Sequence, residues 1–264
     1  MVMKFLLHRR KAFSSGWDLS TASAAGNFTV ALNTMSGFYM KSDGLKLFIV
    51  KSNAGSGYAQ QYDLSTAWDV TTAVFSKYLN MGILPDVPNC ITFNFSGTVM
   101  YIGEYGSDVY QYNLSTGWDL DTAAYNQTID VSGTVSGIVD LIYNGDGTKL
   151  YILSNATDRV YQFSLSTAYD ISTNSYDSKS FSVSSQATSL GGLAFKVNGR
   201  SMYVSDSSDG KIYQYDLSTP WDVSTASYIT NCTIGTYLYN IPFRVDGKML
   251  FALKNDSIYQ YNLS

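Results

Sequence analysis

One motif returns along this chain at near-constant spacing, and it limits the fold more than any other feature. QYDLSTAWDVTTA (61–73) recurs as QYNLSTGWDLDTA (111–123), QFSLSTAYDISTN (162–174) and QYDLSTPWDVSTA (214–226). SSGWDLSTA (14–22) repeats its second half, and QYNLS (260–264) repeats its first. The aromatic residue before Asp falls at Trp17, Trp68, Trp118, Tyr169 and Trp221, at intervals of 51, 50, 51 and 52. A regular repeat of this length means one supersecondary unit per repeat, each burying its apolar face against its neighbours. A leucine-rich unit is shorter, about 20–29 residues, as is a β-helix coil. A β-sandwich has no reason to repeat its sequence five times.

Each unit predicts four antiparallel strands. A short apolar segment comes first: Phe38-Lys41, Ile91-Asn94, Ile138-Tyr143, Leu193-Lys196 and Ile241-Arg244. A Gly-containing hairpin turn follows, where glycine supplies a positive φ. The second strand reads LFIV (47–50), MYIG (100–103), LYIL (150–153), MYVS (202–205) and LFAL (250–253). The third, typified by VYQYNL (109–114) and IYQYDL (212–217), alternates with period two. A polar fourth strand is expected near 75–79, 126–131, 180–184 and 229–234. Four strands per unit of about 50 residues is the β-propeller pattern. The chain ends after the third strand of its fifth unit, so Asn27-Leu32 is expected to supply the missing fourth strand and close the ring. The predicted fold is all-β: a five-bladed β-propeller of four-stranded antiparallel blades, closed by an N-terminal strand in the last blade. Residues 14–264 form this single domain, and residues 1–13 form a basic arm outside it.

Composition agrees and excludes several functions. Asp, Glu, Lys and Arg make up 14% of the chain, against about 25% in an average soluble protein. There are 22 Tyr and a single Glu, Glu104. The net charge of -4 hides an asymmetry: Lys4, Arg9, Arg10 and Lys11 precede the repeats, leaving 13 basic and 21 acidic residues in the body. A body at -8 does not suit nucleic acid, which needs a basic surface. No run of eighteen apolar residues predicts a membrane helix, and residues 1–13 do not read as a signal peptide. Cys90 and Cys232 fall in non-adjacent units, which predicts two free thiols. One His (His8) and two Cys cannot build a zinc site or a serine triad in the blades. No phosphate loop or dinucleotide fingerprint is present, so no cofactor and no metal are expected.

The run Tyr143-Asn144-Gly145-Asp146-Gly147-Thr148-Lys149-Leu150-Tyr151-Ile152, followed by Val160-Tyr161-Gln162-Phe163-Ser164-Leu165-Ser166-Thr167, resembles the repeats of YVTN, NHL and lactonase-like propellers. The DLSTxWDxxTA extension resembles repeats of uncharacterised bacterial and marine phage proteins, some beside tail-fibre or surface modules. The resemblance spans 14–264 and implies the propeller fold. Members of that superfamily commonly have six or seven blades, so five is a departure. Its lactonases hold a metal through scattered carboxylates and His, whereas His8 lies outside the blades here.

Two sets of candidate residues follow. The repeated turn gives Trp17, Trp68, Trp118, Tyr169 and Trp221 with Asp18, Asp69, Asp119, Asp170 and Asp222. In the structural reading, the aromatics plug the blade edge and the carboxylates accept backbone N–H groups two or three residues on. In the functional reading, the same pairs form a ring of sugar-stacking sites. The repeated glutamines Gln111, Gln162, Gln214 and Gln260 are expected to bond laterally to backbone. The second set is an axial rim just after the second strand, where the repeat abandons its consensus but stays polar. It comprises Lys51, Glu104, Tyr105, Asn155, Asp206, Asp209, Lys254 and Asn255. The reading that follows is a non-catalytic binding or display module, recognising a glycan or protein on a phage particle or extracellular surface. It is expected to be a monomer or weak oligomer without nucleic acid or membrane insertion. The alternatives are a structural or oligomer-forming repeat protein, and a glycoside hydrolase pairing Glu104 with a rim carboxylate such as Asp206.

Overall fold

The computed structural model describes residues 16–30, 35–53, 56–82, 87–235 and 237–264. The expected basic arm, residues 1–13, lies outside the described residues, as does Leu32 of the expected closing strand. Strand β1 (Ser23–Thr29) comes first. Four antiparallel sheets follow, each with its strands side by side in chain order. Blade 1 is β2 (Met35–Met40), β3 (Lys46–Asn53), β4 (Ser56–Leu64) and β5 (Ala73–Asn80). Blade 2 is β6 (Pro88–Phe93), β7 (Val99–Glu104), β8 (Asp108–Leu114) and β9 (Ala123–Asp130). Blade 3 is β10 (Ile138–Tyr143), β11 (Lys149–Ser154), β12 (Arg159–Leu165) and β13 (Asn174–Ser182). Blade 4 is β14 (Leu190–Phe195), β15 (Ser201–Asp206), β16 (Lys211–Leu217) and β17 (Ala226–Thr233). Blade 5 combines β18 (Met249–Lys254) and β19 (Ser257–Asn262) with β1, in the order β1-β19-β18. Ser23 pairs with Asn262 and Thr29 with Ser257, so the two ends of the chain close the ring. The chain is a five-bladed β-propeller.

Three details differ from the sequence-based expectation. The first strands begin earlier, at Met35, Pro88 and Leu190, because each starts with a bulge whose residues break the apolar pattern. The fourth strands also begin earlier, as at Asn174 in β13, because they leave the LST turn directly. Blade 5 has no full first strand. Where Ile241-Arg244 was expected to form one, only two isolated bridges occur, Tyr239 to Leu253 and Phe243 to Leu250. Pro242 has no N–H to give the ladder, although its carbonyl still accepts from Phe251 N at 3.0 Å. Asn240 beside it takes φ 42°, outside the strand region.

The repeated turn joins each blade to the one before it. Its aromatic residue has a positive φ in all five copies: 78° at Trp17, 66° at Trp68, 64° at Trp118, 60° at Tyr169 and 64° at Trp221. Its N–H donates to the carbonyl of the hairpin-turn glycine, as from Trp118 N to Gly97 O at 3.0 Å. The ring then lies on that glycine: a Cβ at Gly97 would sit 2.2 Å from Trp118. The rings also pack against the second strand of the preceding blade, Trp68 on Phe251, Trp118 on Phe48, Trp221 on Tyr151 and Trp17 on Tyr203. At Tyr169 the same link is a hydrogen bond from the Tyr101 hydroxyl to its carbonyl.

The following Asp caps a single 3-10 turn, as expected. Oδ1 of Asp18, Asp69, Asp119, Asp170 and Asp222 accepts from the backbone N–H two residues on, at 3.0–3.1 Å. Of the glutamines expected to bond laterally, Gln162 and Gln260 do so, as does Gln61, whereas Gln111 and Gln214 donate within their own strands to Asn113 and Asp216. Oε1 of Gln61, Gln162 and Gln260 accepts from the backbone N of Leu120, Val223 and Val70, each in the next blade. Cys90 is buried, Cys232 is partly exposed, and neither is in a disulfide.

Candidate functional site at the axial mouth

The four first strands and the Tyr239–Phe243 segment of blade 5 converge on the propeller axis, and their crowding decides what can stand there. At one level the blades present Gly37, Cys90, Asp140, Gly192 and Asn240. The two glycines are needed for space. A Cβ at Gly37 would lie 2.6 Å from Asn89 O, and one at Gly192 2.6 Å from Asn240 Cα. The three larger side chains fill the axis. Asp140 Oδ1 accepts from Leu141 N and Oδ2 from Leu193 N of blade 4, both at 2.9 Å. The Asn240 side chain also hydrogen-bonds Asp140, and its Oδ1 accepts from Phe38 N of blade 1 at 3.0 Å. One polar network therefore ties four blades together across the axis. The Cys90 thiol of blade 2 faces the same carboxylate.

Burial dominates the electrostatics of this plug. It pushes the Asp140 carboxyl up to about 7, and the bonds from Leu193, Asn240 and Leu141 restrain it from rising further. Burial also pushes the Cys90 thiol well above its ordinary value, and the Asp140 charge adds to that.

Beside the plug lies a cavity of about 260 Å³. It is lined by the bulge residues Ser36 and Asn89 of two first strands, by Tyr239 of blade 5, and by Tyr105, Asn155 and Ser207 from the loops after the second strands. Asn89 Nδ2 donates to Ile138 O at 2.9 Å and Ser207 Oγ to Ser189 O at 3.0 Å, which orients both side chains. Tyr105 is 52% exposed and Tyr239 38%. Among the described residues, no charged side chain lines the cavity, and Val139 and Leu190 add apolar surface. Its chemistry is that of hydroxyls, amides, two phenol rings and two aliphatic side chains, suited to an uncharged, partly apolar ligand.

Of the eight rim residues expected from sequence, the structure brings Tyr105 and Asn155 to this cavity. The others lie elsewhere. Lys51 is buried, which lowers the pKa of its ammonium group. Glu104 is half-buried and accepts from the Tyr110 hydroxyl at 2.9 Å. Asp206, 3% exposed, takes backbone N–H groups from Thr188, Ser189, Ser208 and Asp209. Burial alone would raise its pKa, but these bonds and the Ser208 hydroxyl outweigh that and hold it below the ordinary value. Asp209 accepts from Lys211 Nζ at 2.9 Å and from the Tyr213 hydroxyl at 2.6 Å. Lys254 Nζ lies 4.6 Å from the Tyr259 ring centre, and Asn255 forms the exposed turn before β19. The repeated aromatics and carboxylates stand at the blade junctions.

Sequence reasoning did not single out Asp140, Asn240 and Cys90. The signal for Asp140 was present: an acidic residue inside the apolar run Ile138–Tyr143. Among the described residues, no group of three His, Cys, Asp or Glu side chains could hold a metal ion. Among the same residues, no helix is long and apolar enough to cross a membrane.

Fold and axial plug together define a class: a five-bladed all-β propeller related distantly to several propeller-fold bacterial proteins. No protein-family model and no curated protein sequence matches the chain. Solved structures do. A functionally unknown protein from Desulfotomaculum acetoxidans is 12% identical with a TM-score of 0.53, over 89% of this chain and 70% of that one. A putative 6-phosphogluconolactonase from Bacteroides uniformis is 17% identical with a TM-score of 0.54, over 96% and 78%. Another from Bacteroides fragilis is 12% identical with a TM-score of 0.55, over 84% and 77%. At these identities the likeness shows the fold alone.

Proposed function

We propose that this propeller is a non-catalytic binding module that recognises an uncharged polar ligand, a glycan or a polar protein surface, through its axial mouth. The observation that carries the reading is the 260 Å³ cavity, lined among the described residues by hydroxyl, amide and phenol groups with Val139 and Leu190, and by no charged side chain. The engagement of Glu104 by Tyr110 and of Asp206 by four backbone N–H groups supports a binding role over glycoside hydrolysis. The likeness of the DLSTxWD turns to bacterial and marine phage repeats supports display on a phage particle or extracellular surface. A glycan array probed with wild type, Tyr105→Ala and Tyr239→Ala tests the glycan form. Wild type is expected to bind, and each variant to lose at least tenfold. An array with no binding to any glycan sinks it.

A structural, oligomer-forming role is the second reading. It is favoured by Val74, Phe75 and Tyr78, all exposed on β5, the outer strand of blade 1. Light scattering of wild type and Phe75→Asp decides it: a monomer in both cases removes this reading.

A further inference from the structure

The junction between blades 2 and 3 departs from the others in two ways that together open a cleft. The first departure is at the residue paired with the repeated glutamine. Lys77 pairs with Gln61 and Lys179 with Gln162, but Gln127 pairs with Gln111. Both lysines cross to the capping carboxylate of the next blade: Lys77 Nζ lies 2.5 Å from Asp119, and Lys179 Nζ 2.5 Å from Asp222. Gln127 instead turns back and donates to Gln111 Oε1 at 2.9 Å within its own blade. Where Gln61, Gln162 and Gln260 reach across a junction, the Gln111 carbonyl is taken by Gln127. The second departure is Tyr169, which replaces the Trp found in the other four turns. The junctions that lead to Trp17 and Trp68 also lack the lysine, with Thr230 and Gly26 in its place, but both keep the indole.

An open cleft of about 460 Å³ results, within the usual range of about 300–1,000 Å³ for small-molecule sites. Gln111, Asn126 and Gln127 line it from blade 2, and Tyr169, Asp170 and Ser172 from blade 3. Asp170 Oδ1 is occupied by the Ser172 N–H at 3.1 Å and its hydroxyl at 2.6 Å. Among the described residues, no donor reaches Oδ2. Among the same residues, no cation lines the cleft.

We infer that this junction is a second ligand site, separate from the axial mouth, and that it takes one saccharide ring. The amides of Gln111, Asn126 and Gln127 and an available carboxylate oxygen of Asp170 offer donors and acceptors for hydroxyl groups. The aromatic ring suits the apolar C–H face of a pyranose. The absence of a lining cation disfavours phosphate and carboxylate ligands. At the other four junctions an indole stands where Tyr169 does, and at two of them a lysine stands where Gln127 does.

The test uses the intact protein and saturation-transfer NMR with glucose, galactose, mannose and N-acetylglucosamine as probes. At least one sugar is expected to bind. Tyr169→Trp and Gln127→Lys, which install what other junctions already carry, are each expected to weaken it at least tenfold with an unchanged melting temperature. If one variant fails to fold, the other still decides. The same two variants are also compared in a Tyr105→Ala background, where any axial contribution is removed and the fall on Tyr169→Trp and Gln127→Lys is expected to persist, which separates the two sites. Absence of signal from all four sugars overturns the inference. So does binding that survives both variants, or a fall that disappears in the Tyr105→Ala background. Transfer from n-butylammonium with none from the sugars also overturns it, replacing the saccharide site with a cation site.

Discussion

Replacing Asp140 by Asn should flatten the dependence of stability on pH. The Asp140 carboxyl is raised by burial from 3.8 to about 7 in the folded chain. A folded-state value above the unfolded one means that folding favours the protonated form. The stabilisation is then complete below about pH 4 and is lost as pH rises through 7. A shift of about three units at about 1.4 kcal/mol each sets a ceiling of about 4 kcal/mol, and linkage places about 3 kcal/mol of it between pH 5 and pH 8. The groups that face the carboxyl do not titrate in that window. They are the amide of Asn240, the backbone N–H groups of Leu141 and Leu193, and the Cys90 thiol, whose own value is pushed up. The carboxylates held below their ordinary range, Asp206 and Asp222 among them, act in the opposite sense, but only as pH falls towards 4. Urea unfolding of wild type and Asp140→Asn from pH 5 to pH 8 measures the difference, in which every group common to both chains cancels. Wild type should lose about 3 kcal/mol more than the variant, or about 6–12 °C in Tm at about 2–4 °C per kcal/mol. The variant's baseline will be lower, since an amide cannot accept all three bonds, so the slope is the readout. Parallel curves for the two chains would refute the account of the axial plug.

Other perturbations test the junctions. Gly97→Ala should cost more than about 2 kcal/mol, since φ is +70° and the new Cβ meets Trp118 at 2.2 Å. Gly145→Ala, on an exposed turn with nothing within 4 Å, should stay within about 0.5 kcal/mol. Trp118→Ala should cost about 3 kcal/mol by removing the ring that covers Gly97 and contacts Tyr39, Phe48 and Phe93. In a thiol titration of the native protein, Cys232 should react first and Cys90 only on unfolding.

The fold was legible because every blade junction reuses an aromatic residue on a turn glycine and a capping Asp, and three of the five add a laterally bonded Gln. These contacts leave the same letters at the same spacing. The axial site was less legible because strand alternation assigns side chains to faces that a repeat alignment does not distinguish. Ser154 and Asp206 end their second strands with side chains turned into the fold, whereas the next residues, Asn155 and Ser207, reach the mouth. The other half of the mouth comes from bulges at Ser36 and Asn89 and from Tyr239, which stands at an isolated bridge. Neither leaves a periodic trace, and these three positions share no residue type. The cleft between blades 2 and 3 was half visible. Tyr169 is an evident departure in the sequence, but the meaning of Gln127 depends on its pairing with Gln111, which only the register of β8 and β9 supplies.

Variation among repeats has two different causes in this molecule. At the axis, five identical blades are sterically impossible. The level that holds Asp140 and Asn240 leaves no room for a Cβ at Gly37 or Gly192, so the blades must differ there whatever the protein binds. Variation at that level is a packing solution, and the buried Asp140–Asn240 pair is accounted for by the need to join blades across a narrow core. Nothing comparable acts at the junction of blades 2 and 3. Lys77 and Lys179 show that a lysine fits between Gln and Asp, and four indoles show that Trp fits on the turn glycine. Gln127 and Tyr169 forgo contacts that the same chain makes elsewhere, and the space they leave is open to solvent. Packing therefore explains the irregular axis but not the irregular junction, which is the physical reason to look for a ligand at the latter.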